Sequence, residues 1–475
     1  MKIDIQNNLK GLDALFILSD SKTIPTTSLP ARIKADIADF TKKFDGKKTV
    51  HFVSKNGAKP IHIHVIGTKK DDCRKISYNI GKTATSKKYE NVGIMSKKYD
   101  HQILADEFIF ANYKFDTYLT GKDSKQHNIK KLAFIQKTDA KLLKELKKTQ
   151  HVAESVNYVR DLVNSPATDI TPSHLASEAR KIAKKGKKIT VKIMSEKELK
   201  KEKLNLILGV SAGSTQDAKL VKLTYKNKPK NKQPIMIVGK GVTFDAGGLN
   251  IKTSWMEAMK MDMAGAATVL GLFKILEKYD VPAHIIGLVP TTENLLGGTA
   301  YKPGDIIKSY SGKTIEINNT DAEGRLILAD ALAYGTKKFK PECIIDMATL
   351  TGACITALGN TRSGLITNNH NVRDQILEAS EGTGNEVWPL PLDKFHQDKV
   401  KGNVSDYKNL TSGVGAGASM AGAFLEKFVS DTPWVHLDIA GTAFMEKAIP
   451  GKPLGGTGDP LKLLFKFIEN YKTPK

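Results

Sequence analysis

The sequence predicts an α/β fold in two domains. A smaller N-terminal α/β domain precedes a larger C-terminal domain with a mostly parallel central sheet flanked by helices. Three observations carry this. At 475 residues and 40% hydrophobic composition the chain exceeds what one core usually organises. Beyond residue 170, apolar strand-like runs alternate with helical patterns, the signature of a parallel sheet covered by helices. Between the two halves, Pro166 and Pro172 interrupt a helical pattern. The expected division is residues 1–150, a linker helix and loop over 151–172, and 173–475.

In the first domain, Lys48 to Val53, Ile61 to Ile66 and Lys130 to Gln136 read as strands. His62 and His64 alternate with Ile61, Ile63 and Val65, which predicts the polar face of a strand rather than metal ligands. Glu107 to Tyr118 is a mixed aromatic segment, and Lys141 to Arg160 carries a helical pattern into the junction. Leu12 to Leu18 is short and carries Asp13, so it does not make a signal-peptide core.

Thr171 to Lys184 predicts the first helix of the second domain, with Pro172 in its first turn. Val191 to Met194 follows as a strand and Glu196 to Lys203 as a lysine-rich helix. Ile235 to Val238 reads as a buried strand, and Gly239 to Lys252 as the glycine-rich loop after its carboxyl end, where α/β sheets gather ligands. Met259 to Ala267 opens an apolar helix reaching about Tyr279. Val281 to Val289, Cys343 to Met347 and Trp434 to Ile439 complete the strands. Thr411 to Gly422 is rich in small residues; without a Walker pattern it reads as close loop and helix packing.

The chemistry concentrates in Asn318-Asn319-Thr320-Asp321-Ala322-Glu323-Gly324-Arg325. Two carboxylates two residues apart share a side of an extended or loop segment, with Arg325 beside them. Leu326 to Tyr334 then has helical spacing, so the segment feeds a helix N-terminus, which favours anions. Asp262 lies among methionines and small residues, where an unpaired carboxylate is costly to bury. Asp245, Asp262, Asp321 and Glu323 cannot share a site without cations. Lys240, Lys252 and Arg325 compensate part of that charge, and divalent metal suits the remainder. An oxygen-rich set accepts Mg²⁺, Mn²⁺ or Zn²⁺. No HExxH motif occurs, which excludes that class of single-zinc site.

Taken together, Asn319 to Leu326, Gly239 to Lys252, Met259 to Ala267, Asp346 to Gly352 and His436 to Ala443 resemble the leucyl aminopeptidase (cytosol aminopeptidase) family of two-metal peptidases. The likeness spans roughly residues 155–460, with the motifs in the family's order. It implies a metal-dependent aminopeptidase that releases N-terminal amino acids by a water activated between two metals. Lys240 would ligate through a neutral amine, Asp245 and Glu323 would bridge, Asp262 would join Lys240 on one metal, and Asp321 would hold the other. Lys252 would polarise the scissile carbonyl. Arg325 would hold a bicarbonate acting as general base. Thr349, Leu350 and Gly352 would line the substrate site. The resemblance further implies a homohexamer acting on peptides with a free N-terminus. Ala246, Asn250 and the Gly455 to Lys462 segment depart from common family residues, none of them at a proposed ligand. The metal stays open among Mn²⁺, Zn²⁺, Mg²⁺ and Co²⁺.

The net charge is +23; residues 1–150 hold 30 Lys and Arg against 16 Asp and Glu, a net +14. The excess is scattered in pairs such as Lys42-Lys43, Lys69-Lys70 and Lys87-Lys88. A solvated basic surface is the favoured reading, with weak DNA binding the sharper one; no helix-turn-helix signature singles out a reading element. A DNA-binding regulator that retains a peptidase domain and a two-metal phosphoesterase are the alternative functions. No apolar run of membrane-spanning length occurs, so no membrane association is expected. Cys73, Cys343 and Cys354 have neither metal nor disulfide spacing, which predicts a cytoplasmic setting.

Overall fold

A computed structural model describes residues 1–20, 24–26, 29–42, 44–68, 72–121, 128–448, 452 and 454–474. Lys43, Lys69 and Lys70 of the paired lysines lie outside the described residues. The chain is mixed α/β and divides into two compact units, Met1–Asn157 and Tyr158–Ala448 with Leu454–Lys475.

The first unit is built on strands β1 (Lys2–Gln6), β2 (Ala14–Ser19), β3 (Thr49–Asn56), β4 (Lys59–Gly67), β5 (Asn91–Met95) and β6 (Lys131–Ile135). Their order is β1-β6-β5-β2-β4-β3, parallel except for β3 against β4. Helices α1 (Ala31–Phe40), α2 (Cys73–Ser86), α3 (His101–Ala111) and the long α4 (Ala140–Asn164) complete it. The apolar run that ends at Leu18 belongs to β2, a central strand buried along its whole length. Alternation sends Phe16 and Leu18 into one layer with Ile80, Leu104 and Phe108, and Leu15 and Ile17 into the other with Ile33, Ile37 and Ile61. Asp13 accepts the backbone N–H groups of Glu90 and Asn91 at 2.9 and 2.8 Å. Because both faces are covered, the expected polar face of β4 is only half realised. His62 is half-buried, but His64 is 5% exposed and lies in the layer with Phe16.

The second unit carries a nine-stranded sheet. It comprises β7 (Ile189–Met194), β8 (Lys219–Lys226), β9 (Ile235–Gly239), β10 (Gly241–Asp245), β11 (His284–Asn294), β14 (Cys343–Ala348), β15 (Arg362–Thr367), β16 (Glu386–Pro389) and β18 (Trp434–Asp438). Strands β12 (Ile306–Lys308), β13 (Thr314–Glu316) and β17 (Tyr407–Lys408) form a small separate sheet. The main order is β16-β15-β18-β14-β9-β11-β8-β7, with β10 beside β11. Its middle (β18, β14, β9, β11, β10) is parallel, and β7, β8 and the β15–β18 pair run antiparallel. Helices α5 (Pro172–Lys185), α6 (Glu196–Glu202), α7 (Asn205–Ser211), α8 (Ala264–Leu276), α9 (Gly324–Phe339), α10 (Gly352–Leu358), α11 (His370–Ser380), α12 (Lys394–Lys399), α13 (Gly417–Glu426) and α14 (Leu461–Asn470) accompany it. Thr171 caps α5 by accepting the His174 N–H at 3.2 Å, with Pro172 at the position that needs no donor.

Two expectations in this unit are corrected. Gly241–Asp245 is a strand rather than loop; its Gly241, Val242 and Asp245 pair with Thr291, Thr292 and Asn294 of β11, and the flanking glycines obscured them. The helix expected from Met259 is broken: a 3₁₀ turn spans Met256–Met261 and α8 starts at Ala264, leaving Asp262 in the break. Thr411 to Gly422 is a loop followed by the start of α13; close packing holds in the helix, where a Cβ on Gly422 would meet Ile366 at 2.6 Å, but not in the loop, where Gly413 and Gly415 are exposed with open space around them. Among the described residues, no helix is long and apolar enough to cross a membrane.

Candidate active site

The carboxyl ends of the parallel strands meet at one place. Lys240 follows β9, Asp245 ends β10, Asn294 ends β11, and Thr349 follows β14. Lys240 is 3% exposed, and its Nζ lies 2.8 Å from Asp262 Oδ2 and 2.8 Å from Glu323 Oε1. It also donates to the Thr349 carbonyl at 3.0 Å. Lys252 Nζ lies 2.8 Å from Asp245 Oδ2 and 2.5 Å from Asp321 Oδ1.

Three close backbone approaches make room for Lys240. A Cβ on Gly239 would meet the Gly265 carbonyl oxygen at 2.3 Å, and one on Gly265 would meet Met347 O at 2.3 Å. A Cβ on Gly324 would sit 2.5 Å from Lys240 Cε and 2.6 Å from its Nζ. The glycines in these motifs are therefore steric requirements of the lysine's position.

Asp321 and Glu323 converge through a turn, not through strand alternation. Asp321 N–H donates to Asn319 Oδ1 at 2.7 Å, and Ala322 N–H to Asn319 O at 3.3 Å. Oxygens of Asp245, Asp321 and Glu323 then lie within 4.8 Å of one another. Asp262 Oδ2, Asp321 Oδ1 and Glu323 Oε1 are buried and, beyond the lysine ammonium groups, meet no hydrogen-bond donor among the described residues. Burial pushes the Asp262, Asp321 and Glu323 carboxyls up, and the crowded carboxylates add to it. Burial alone would lower the Lys240 and Lys252 ammonium groups; Asp262, Glu323 and Asp245 for the first, and Asp245, Glu323 and Asp321 for the second, hold them above the ordinary range instead. Among the protein's own groups Lys240 is thus a cation; the neutral amine that the family resemblance implies belongs to a lysine beside a dication. Four carboxylates facing two ammonium groups, with buried oxygens that have no other donor among the described residues, are a donor set that fits hard divalent cations.

The supporting residues were not legible in the sequence. Asn294 Nδ2 donates to Asp245 Oδ1 at 2.8 Å and to Thr320 O at 3.0 Å. Tyr301 OH donates to the same Thr320 carbonyl at 2.7 Å. Asn250 and Thr320 bond reciprocally, Asn250 N–H to Thr320 Oγ1 and Thr320 N–H to Asn250 Oδ1, each at 2.8 Å. These contacts fix the Lys252 loop against the Asp321 turn. The one signal was the position of Asn294, an amide at the carboxyl end of β11. Asn409 carries no local pattern, yet its Oδ1 accepts Asn318 N–H at 2.8 Å and its carbonyl accepts Arg325 Nη1 at 2.9 Å.

Arg325 is 5% exposed, and its Nε has no hydrogen-bond partner among the described residues. Burial brings the guanidinium down to about 10, so it remains charged at neutral pH. Thr349 Oγ1 donates to Asp262 Oδ1 at 2.7 Å, tying the Thr349–Leu350 segment to the acidic cluster. Asp438 accepts Leu350 N–H at 3.2 Å and Thr351 Oγ1 at 2.6 Å. Gly352 opens α10 and is exposed. Across the sheet, Asp346 accepts Trp434 Nε1 at 2.5 Å and lies 2.6 Å from His436 Nδ1. Burial would lower His436, but Asp346 outweighs it and keeps the imidazole above its ordinary range.

The family model for the catalytic domain of the cytosol aminopeptidase family matches residues 157–465. A probable cytosol aminopeptidase of Nitrosococcus oceani is 42% identical over 362 residues, 75% of this chain and 71% of the relative. One from Cenarchaeum symbiosum is 45% identical over 328 residues, 68% and 67% of the two chains. One from Clostridium tetani is 39% identical over 416 residues, 85% and 86%. With an acidic cluster at the carboxyl ends of a parallel sheet and this likeness over most of its length, the chain belongs to the cytosol aminopeptidase family and is a leucyl aminopeptidase-type hydrolase.

Proposed function

We propose that the chain is a two-metal aminopeptidase that removes N-terminal residues from peptides with a free α-amine. The observation that carries this is the convergence of Asp245, Asp321 and Glu323 within 4.8 Å, between Lys240 and Lys252. Lys240, Asp245, Asp262, Asp321 and Glu323 would hold the ions, with Asp245 and Glu323 shared between them. Mn²⁺ or Zn²⁺ suits the set best, with Mg²⁺ and Co²⁺ the further options. Bound there, two divalent ions supply Lewis acidity and bring the ionisation of a water close to neutral pH.

The chain's own groups do the rest. Lys240 has to lose its proton to serve as a ligand, so loading releases a proton from that position. Lys252 keeps its proton and donates to the carbonyl oxygen as negative charge develops on it. Thr349, Leu350 and Gly352 line the substrate's path, with Leu350 held by Asp438. Arg325 spends one donor on the Asn409 carbonyl, and its unpartnered Nε supports the reading of an anion there, bicarbonate acting as general base.

Hexameric assembly and a cytoplasmic setting follow the family likeness and are part of the proposal. Weak, salt-sensitive DNA contact by the +14 N-terminal segment is a subsidiary one. Nothing in the comparisons or the geometry supports a phosphoesterase or a dedicated DNA-binding regulator. The test compares a leucine amide with its N-acetylated form, before and after chelation and metal return. Cleavage of the free-amine substrate alone, lost on chelation and restored by Mn²⁺ or Zn²⁺, is expected. Equal cleavage of both substrates, or indifference to chelation, would sink the proposal.

A further inference from the structure

Asn409 is fully buried and comes from a distant part of the chain, 84 to 91 residues beyond the groups it touches. A primary amide offers two acceptor and two donor positions, and Asn409 spends all four on one turn. Its Oδ1 accepts the Asn318 N–H at 2.8 Å and, more weakly, the Asn319 N–H at 3.4 Å. Its Nδ2 donates to the Asn319 carbonyl at 2.6 Å and, more weakly, to the Ala322 carbonyl at 3.4 Å. The amide thus grips the backbone on both sides of Asp321. The carbonyl of the same residue accepts Arg325 Nη1 at 2.9 Å. On its other flank the turn is held at Thr320 by Asn250, Asn294 and Tyr301.

The small sheet explains how Asn409 arrives there. β17 runs parallel to β13, pairing Ile315 with Tyr407 and Glu316 with Lys408. Asn409 is the next residue, beside the point where β13 leads into the turn, and its N–H donates to the Glu316 carbonyl at 3.0 Å. Two paired residues make a short ladder, and side chains brace it. The buried Glu316 carboxylate accepts the Asn403 N–H, the Val404 N–H at 3.1 Å and the Ser405 hydroxyl at 3.1 Å. Asp406 accepts the Thr314 N–H at 2.8 Å and its hydroxyl at 3.0 Å.

We propose that Asn409 is a positioning residue for the metal-dependent reaction. Its amide sets where Asp321 and Glu323 stand by clamping the turn that carries them, and its carbonyl sets Arg325 relative to both. The inference rests on the two-metal reading of the acidic cluster. Crowded carboxylates repel one another, so an unclamped turn lets Asp321 move away from Asp245 and Glu323. Groups that orient ligating carboxylates govern metal affinity by about 10–100-fold. The braced small sheet is then a mount that carries Asn409 to the turn.

The test uses full-length Asn409→Ala, with the nearly isosteric Asn409→Leu in its place if the alanine variant misfolds. Two quantities are measured: Mn²⁺ binding by equilibrium dialysis, and amide hydrogen exchange of the metal-free protein. Mn²⁺ affinity should fall about 10–100-fold relative to wild type. Exchange in a peptide covering residues 318–322 should speed up at least about tenfold, while a peptide covering β9 keeps its wild-type rate. A merely structural role would raise exchange in both peptides alike and leave the affinity of the folded fraction unchanged. Wild-type protein that binds no Mn²⁺ removes the two-metal reading and this inference with it. Two ions held equally well by wild type and variant, or equal acceleration of both peptides, overturns the role of Asn409 alone.

Discussion

Gly324→Ala places one methyl group against the buried lysine of the acidic site. Its Cβ would lie 2.5 Å from Lys240 Cε and 2.6 Å from Nζ, where nonbonded carbons settle at about 3.5–4.0 Å. Roughly 1 Å must therefore be found. Lys240 is the mobile partner in principle, yet Asp262, Glu323 and the Thr349 carbonyl hold its Nζ at 2.8, 2.8 and 3.0 Å. Displacement breaks at least one of these contacts and moves a proposed ligand. A misplacement near 1 Å at a reacting centre costs about 100-fold in rate. Overpacking typically costs about 1–3 kcal/mol of stability, while replacing glycine in a helix returns up to about 1 kcal/mol, so the net loss of stability is modest. The assay combines kcat/KM on leucine amide, metal content by mass spectrometry and a thermal melt. The expected result is a loss of about 100-fold in kcat/KM, lower metal occupancy, and a Tm within a few degrees of wild type. Retention of kcat/KM within threefold with full metal content would refute the assignment of Lys240 to the metal site.

Lys252→Ala should reduce kcat while metal content stays at wild type, because the ammonium acts on the developing oxyanion more than on bound substrate; parallel metal loss would assign it to the ligand set instead. Asn294→Ala removes the donor to Asp245 Oδ1 and should weaken metal affinity about 10–100-fold in a dialysis titration while leaving the fold intact; unchanged affinity would mean that Asp245 is positioned by other contacts. Asp330 is buried in α9 and accepts the Leu206, Ile207 and Tyr310 N–H groups, but burial still raises it to about 7. A raised carboxyl binds its proton more tightly folded than unfolded. Its stabilisation is therefore complete below the unfolded value near 3.8 and is lost as pH rises to about 7, on the order of 1 kcal/mol per unit. Asp330→Asn should remove that component from the stability profile between pH 4 and 7; equal slopes for both proteins would contradict the shift.

The residues with the most chemistry were the most readable. Asp245, Asp262, Asp321, Glu323, Lys240 and Lys252 sit in short motifs where charge stands against apolar or glycine-rich surroundings, and the structure brings them together. What local pattern could not supply was the means of convergence. The Asp321–Glu323 turn depends on Asn319, and Asp262 lies in a helix break, which spacing alone does not reveal. Asn294, Tyr301 and Asn409 act through partners 26, 19 and 84 residues away, so no short window of sequence contains the reason for them. Strands β2 and β10 escaped for a different reason. One is a short buried run without alternation, and the other is bracketed by glycines, so neither displays the period that marks a half-exposed strand.

The backbone contacts among Gly239, Gly265 and Met347 bear on how this enzyme can be redesigned. The acidic cluster is not a set of loops resting on a scaffold. Its side chains are carried on main chains that touch, with no side chain between them. Exchanging one motif for a relative's version changes the spacing felt by the other two, so a chimera should fail unless all three segments travel together. Variation is better tolerated in the exposed stretch that carries Leu249, Ile251 and Trp255, where side chains can change without disturbing that contact.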